Sequence, residues 1–407
     1  FSPSTSAAIA PDSEGFIHRW MLLEPINKPN SGNTVFTDSY LREHFNREYF
    51  KGQQTILPKD GQKVQAVFKQ EQAPAGFGRG FGQQAQPAQP EVKTVKQAYL
   101  DMDKELEFIP KEGVYALPYV ANAAGILYNK DLFEENGWKV PATWSEFTAL
   151  CDTIGESGTL PLYLGFKDTW TCLAPWNALA VGLTDSDTCN QVNMGNTTFS
   201  ETYGPVAEKM RAILDYAEKN PYAYGYNDAC TAFARGESAM YPIGSYAIPQ
   251  IKSVNPDMNI GSFTFPANDK ETDNVLNSGI DLQFSVMKAC KNKEAAYEVL
   301  RYLYDDDTIQ IYLDAQGGIA CKDGNFAIPE TLEDMTDYIE NNRMSDYQDH
   351  HYPSEMSVDA MIQTFLLDTS DNAQEKFLKK FDSDWKRYNR DLIRKVQDYQ
   401  NEQEDAQ

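Results

Sequence analysis

Apolar positions along this chain fall into two periods, and the switches between them mark out its elements. Val114, Ala116 and Leu117 make a short apolar run that Pro118 stops, and Gly125 to Tyr128 make a second run rich enough in large side chains for a buried strand. A short helix follows over residues 131–136, with Gly137 placed for the left-handed residue that closes a helix. Thr143 and Glu146 have the spacing of a capping box, so a new helix begins there and ends near Gly155 and Gly158. Residues 160–165 read as a strand, and Trp170 and Trp176 flank a turn into the next helix. Over residues 204–220, Val206, Met210, Ile213, Leu214 and Ala217 share one helical face, with Pro205 in the first turn.

Further along, a helix ends at Gly236, a buried strand runs to Ile243, and a Gly244-Ser245 turn opens another helix. Residues 260–266 and 279–287 read as strands. Residues 293–304 read as a helix with Ala296, Val299, Leu300 and Leu303 inward, and residues 308–315 as one capped by Asp307 and stopped by Gly317. The tail is helical, with Phe377, Leu378, Phe381, Trp385 and Tyr388 recurring at helical spacing.

Composition changes the picture at the N-terminal end. Residues 1–97 carry a net charge of +2 and the remainder −26, out of −24 for the 407-residue chain. Residues 70–97 are dominated by Gln, Gly, Ala and Pro and read as a linker, because they cannot bury enough apolar surface to offset the cost of ordering. The expected organisation is a segment of different origin over 1–69, the linker over 70–97, and the main protein over 98–407. The break near Lys96-Gln97 fits either a genuine fusion or a join of two genes, and its abruptness favours the second. Residues 1–97 are expected to touch little of the rest.

The acidic balance argues against nucleic acid and anionic membrane as partners. Apolar runs stay far below the ~20 residues of a membrane helix. The six cysteines form neither a Cys-x-x-Cys nor a zinc pattern; they suit disulfides, with Cys172–Cys189 the shortest loop, or small buried hydrophobes, the second being favoured. His18 and His44 have no Gly-x-Ser-x-Gly partner. Asp185/Asp187 and Asp305-Asp306-Asp307 lack calcium-loop spacing, and His350-His351 lacks a ligand context. No catalytic group, metal or cofactor is expected.

The run Tyr115-Ala-Leu-Pro-Tyr119, Gly125-Ile-Leu-Tyr-Asn129-Lys130 with Phe133, Gly137, Pro141-Ala-Thr-Trp144 with Glu146 and Phe147, and Phe233-Ala-Arg-Gly236 through Ala239-Met240 to Gly244-Ser245-Tyr246 together resemble the family 1 extracellular solute-binding proteins of ABC importers. The resemblance covers about residues 105–395. It implies an α/β fold of two lobes, periplasmic-binding-protein-like, that closes on a mono- or oligosaccharide and docks to a membrane permease as a monomer. It implies an extracellular or cell-surface protein, lipid-anchored in its full length, and no enzyme. Family members carry about a hundred residues of strands and helices before this run, so the first lobe here is expected to be incomplete. Residues 14–68 resemble instead the N-terminal segment of secreted polysaccharide esterases, a β-rich or poorly ordered stretch without a catalytic residue. An esterase or glycosidase fragment is therefore the alternative. Ala8-Ile9-Ala10 would fit the end of a signal peptide.

A sugar site needs flat aromatic faces for the ring and polar groups for its rim. The loops after the strands supply both: Tyr119 and Asn122, Trp170 and Trp176, Ser245 and Tyr246, and Gly279 with Asp281. Tyr246, the aromatic after Gly-Ser, is the foremost of these candidates. The reading requires that the loops after Pro118, Gly165 and Gly244 come together.

Overall fold

A computed structural model describes residues 16–18, 67–69 and 116–405. The linker, the expected signal-peptide end and most of residues 1–97 lie outside the described residues. The chain divides into two units. Of the described residues, the first holds β1 (Phe16–His18), β2 (Val67–Lys69), Ala116, Leu117 and residues 284–300. β1 and β2 pair antiparallel, with Ile17 opposite Phe68.

The second unit contains two four-stranded sheets and most of the helices. Its strands are β3 (Leu117–Ala124), β4 (Ile126–Asn129), β5 (Leu160–Leu162), β6 (Ser238–Tyr241), β7 (Ile260–Phe263), β8 (Leu276–Phe284), β9 (Ile319–Ala320) and β10 (Met344–Ser345), the first residue of β3 and the last of β8 being assigned to the first unit. One sheet has the order β10-β8-β3-β9, and the other β5-β6-β4-β7. β3 runs antiparallel to β9, β10 parallel to β8, β4 antiparallel to both β6 and β7, and β5 parallel to β6. The chain passes from the first sheet to the second at one residue, Gly125. A Cβ there would sit 2.2 Å from the Phe263 carbonyl oxygen and 2.8 Å from the Met335 methyl, so only glycine lets the backbones approach this closely.

Local signals set most element ends. Gly137 takes φ +68° and closes the Lys130–Asn136 helix, whose first turn is capped by the Asn129 side chain. Thr143 accepts from the Glu146 amide at 3.2 Å, while the Glu146 carboxylate returns to Ala142 N at 2.8 Å, one residue before the position a capping box uses. Pro118 does not stop a strand: it lies second in β3, two residues before Val120, which pairs with Ala320 of β9. The helix expected over 204–220 ends at Ala212 and tightens into a 3-10 turn over Ile213–Tyr216. Ala217 then bridges to Leu162 instead of continuing the helical face. In the Lys293–Leu303 helix, Tyr297 and Leu300 are buried and Val299 is 58% exposed, since the large phenol takes the inward row. Asp305, two residues before the expected Asp307, caps the Asp306–Gln316 helix.

The main core is aromatic. Trp176, in the Leu173–Leu183 helix, packs on Phe377 and Phe381 of the Ala373–Tyr388 helix, and Trp385 of that helix packs on Phe199. Tyr388 falls outside it, 39% exposed. All six cysteines are free thiols, five of them buried. Burial pushes the Cys230 thiol up to about 12.

Candidate functional site

The join between the two sheets positions the candidate residues. Ala123 N donates to Ser245 Oγ at 3.2 Å, and Ala124 bridges to Gly244. This pairing ties the end of β3, which carries Asn122, to the Ser245–Ala247 turn, which carries Tyr246. Asn122 sits half-buried at the centre of a polar group. Its Nδ2 donates to Asp281 Oδ1 at 3.3 Å, its Oδ1 accepts from the Tyr347 hydroxyl at 2.6 Å, and its carbonyl accepts from Ser278 Oγ at 2.8 Å. Gly279 allows the neighbouring loop in: a Cβ there would lie 2.2 Å from Asp346 Oδ1 and 2.7 Å from the Tyr347 ring. Asp346 in turn holds His350 Nδ1 at 2.9 Å.

The Trp170 loop is built from a different set of bonds. Glu218, buried, accepts from Leu164 N and Gly165 N, each at 2.9 Å. Gly165 takes φ +63° and turns the chain, with its carbonyl held by Thr171 Oγ1 at 2.9 Å. Asp168 accepts from Tyr226 N at 2.8 Å, and the Thr169 hydroxyl donates to Asp359. Trp170 is thereby held 41% exposed, 5.0 Å from the Tyr226 ring and 6.3 Å from the Tyr246 ring, each at 51°. The result is an open aromatic face next to the polar group around Asn122.

Carboxylates face this cluster. Burial raises the Tyr246 phenol well above its ordinary value, and Asp349 and Asp281 raise it further. Burial also lifts Asp281, whose residue is otherwise exposed, and the Asn122 amide partly offsets this. Asp349 is raised by burial against the opposing pull of His350, and its Oδ1 accepts from Asn177 Nδ2 at 3.0 Å.

The eight sequence candidates separate into two groups. Asn122, Trp170, Tyr246, Gly279 and Asp281 come together. Trp176 does not: it is fully buried, and its Nε1 donates to the Tyr352 hydroxyl at 3.2 Å, so it offers no face to a ligand. Tyr119 is 2% exposed, edge-on to Tyr304 and Tyr312 at 5.3 Å. Ser245 is 1% exposed and its oxygen is used by Ala123, which makes it a strut of the site. Sequence reading missed Tyr226, Tyr347, Asp349 and Asn177. Tyr226 follows Gly225 at a helix start and carried a weak local signal; the other three carried none. Two hollows of 660 Å³ and 310 Å³ lie elsewhere, lined by none of the eight. Among the described residues no group of His, Cys, Asp and Glu is placed to hold a metal, and no helix is long and apolar enough to cross a membrane.

Two four-stranded sheets thus join at Gly125, with amide and aromatic groups gathered near the join. Residues 79–310 match the profile of the bacterial extracellular solute-binding proteins, and the chain belongs to that family. The match begins inside the stretch that composition marks as a linker. A multiple sugar-binding protein of Streptococcus mutans is 30% identical over 257 residues, 60% of this chain and 59% of that one. An sn-glycerol-3-phosphate-binding periplasmic protein of Agrobacterium fabrum is 25% identical over 169 residues, 38% of this chain and 37% of its own. The chain thus spans well under two thirds of these curated relatives. Among solved structures, the apo form of RafE from Streptococcus pneumoniae aligns with a TM-score of 0.56 at 28% identity, over 67% of this chain and 71% of that one. RafE in complex with raffinose aligns at 0.58 and 26%, over 67% and 72%.

Proposed function

We propose that this chain captures a mono- or oligosaccharide outside the cell and passes it, chemically unchanged, to the membrane permease of an ABC importer. It works as a monomer on the cell surface, held there by a lipid anchor in the full-length protein. The observation that carries this reading is the open face of Trp170, Tyr226 and Tyr246 beside Asn122 and Asp281. An aromatic plane stacks on the C–H face of a pyranose, and the amide and carboxylate bind its hydroxyls in exchange for water. The family whose profile matches is one of solute-binding proteins, and the Streptococcus mutans relative is named as a binding protein, which supports binding over turnover. The relatives named for a multiple-sugar and a raffinose ligand support a carbohydrate, while the one named for glycerol phosphate leaves the ligand's charge open.

We keep the segment over residues 1–69, of different origin, and the linker over 70–97 in this proposal, so that the first lobe is incomplete and affinity is reduced. Calorimetric titration of the whole chain with raffinose and with its component monosaccharides tests the reading. Saturable binding is expected, with the sugars recovered intact by chromatography afterwards. Absence of binding across the panel, or appearance of cleavage products, overturns it.

A further inference from the structure

Tyr347, a buried side chain, is braced by the residue before it and the residue three after it. β10 ends at Ser345, which lies opposite Asn277 of β8 and whose carbonyl accepts from Asn277 Nδ2 at 3.3 Å. The chain then tightens. His350 N donates to the Tyr347 carbonyl at 3.2 Å, and His350 Nδ1 bonds Asp346 Oδ1 at 2.9 Å. The His350 ring consequently lies 5.2 Å from the Tyr347 ring, with 36° between their planes. Gly279 of β8 packs directly on this group, since a Cβ there would meet both Asp346 and the Tyr347 ring.

The braced phenol acts on the candidate site through one bond, from the Tyr347 hydroxyl to Asn122 Oδ1 at 2.6 Å. Asn122 Nδ2 is held at the same time by Asp281 Oδ1 at 3.3 Å. The two ends of a side-chain amide differ, the oxygen accepting and the nitrogen donating, so a partner at each end sets the way the amide faces. The Asp281 bond is the longer of the two, which leaves Tyr347 as the firmer hold.

Resting on the carbohydrate reading above, we infer that Asp346 and His350 are positioning residues of the sugar site: their bond holds the Tyr347 hydroxyl on Asn122, fixes the way the Asn122 amide is presented to the ligand, and does so most firmly when His350 is protonated. A protonated imidazole adds charge attraction to its bond with the Asp346 carboxylate, which a neutral one lacks. Burial opposes the charged form of His350, but the Asp346 bond and the Asp346 and Asp349 carboxylates outweigh it and hold the group above its ordinary value. The brace is therefore at full strength below that ordinary value and weakens as pH rises through the raised one. The neighbouring His351 is lowered by burial against the pull of Asp346 and Asp187, so it titrates below this window. The groups facing Tyr347 itself are the Tyr246 phenol and the carboxylates of Asp349, Asp346 and Asp281. The His350 and Asp346 side chains are 41% and 21% exposed, so salt screens the pair and the effect is a graded one.

The test is a calorimetric titration of the whole chain with raffinose at low salt, from pH 5.5 to 8.5. The unaltered chain is expected to lose about threefold in affinity across that range as the charged bond goes. His350→Gln and Asp346→Asn are each expected to bind at the weaker level throughout, without the slope. Tyr347→Phe keeps the ring and loses only the hydroxyl, so a packing role alone would leave its affinity unchanged; it is expected instead to bind at the weaker level and to show no slope. A second measurement needs no sugar. The Asn122 side-chain amide resonance, assigned by its loss in Asn122→Asp, is expected to shift with pH in the unaltered chain and to stop shifting in His350→Gln. A steady Asn122 resonance, or a pH slope of affinity that survives His350→Gln, overturns the inference and leaves the carbohydrate reading standing. Failure of raffinose and its component monosaccharides to bind at any pH overturns both.

Discussion

Two aromatic clusters in this protein begin six residues apart in sequence and serve opposite ends. Trp176 sits in a closed cluster: Tyr203, Phe377 and Phe381 surround its ring at 5.4–6.4 Å, and Tyr352 takes its only N–H. Trp170 sits in an open one, backed on one side by Tyr226 and Tyr246 and exposed over 41% of its surface. The side chains are the same; what differs is whether another helix arrives to cover them. The Ala373–Tyr388 helix covers Trp176 from two hundred residues away, and Trp170 is left with its face free. A closed cluster stores stability, and an open one leaves aromatic surface exposed, which the proposed function assigns to a ligand.

Replacing the closed member gives the largest effect. Trp176→Ala removes a fully buried indole from a close-packed core and leaves the Tyr352 hydroxyl without that donor. A loss of about 4 kcal/mol is expected, read as a fall in the denaturant midpoint. A loss below about 1 kcal/mol would mean that the core around Trp176 is loosely packed, and the contrast would collapse.

The support of the open cluster comes next. Glu218 satisfies two buried amides at the foot of the Trp170 loop. Glu218→Ala leaves both unpaired, and about 3 kcal/mol of stability is expected to go. Glu218→Gln costs less and isolates the pH term. Burial holds the Glu218 carboxyl above its ordinary value, with the Gly165 and Leu164 amides opposing. The folded chain therefore binds this proton more readily than the unfolded chain. Stability from this group is fully present below the unfolded value and is lost as pH rises through the raised folded one. Relative to Glu218→Gln, the unaltered chain should gain stability as pH is lowered through that window. Equal pH slopes in the two chains would remove Glu218 from the account.

Much of the second unit was legible from sequence because its signals are local. Gly137 and Gly317 both take the left-handed conformation, with φ of +68° and +69°, and end the helices they were expected to end. The spacing of Phe377, Leu378, Phe381 and Trp385 gave the buried face of the last core helix. The site was half legible. Trp170 and Tyr246 lie in turns that follow β5 and β6, whereas Asn122, like Tyr119, was expected on a loop and lies inside β3, because the strand runs on past Pro118 to Ala124. Trp176 was misplaced because nothing within ten residues of it tells that Phe377 and Phe381 will lie on it. Tyr347 and Asp349 were missed for the same reason: they reach Asn122 and Asn177 from a loop whose own sequence has no period. Where burial is decided by a distant partner, residue type alone does not separate a core tryptophan from an exposed one.

Trp170→Ala is the sharpest test of the contrast, although its effect on stability is the smallest. The side chain is exposed on one face, and the loop that carries it is fixed by Glu218, Asp168 and Thr171 without help from the indole. Stability is therefore expected to change by less than about 1 kcal/mol. Affinity is different, because the indole is the exposed ring of the three and supplies the stacking plane. A loss of roughly tenfold or more is expected in the sugar titration, about 1.4 kcal/mol. Trp170→Phe should recover part of it, since a smaller plane still stacks. The two readouts cross over between the two tryptophans: Trp176→Ala moves the melting transition most, and Trp170→Ala moves binding with the fold intact. If Trp170→Ala instead lowered stability as much as Trp176→Ala and left sugar affinity unchanged, the open face would be part of the core, and the distinction drawn between the clusters would be false.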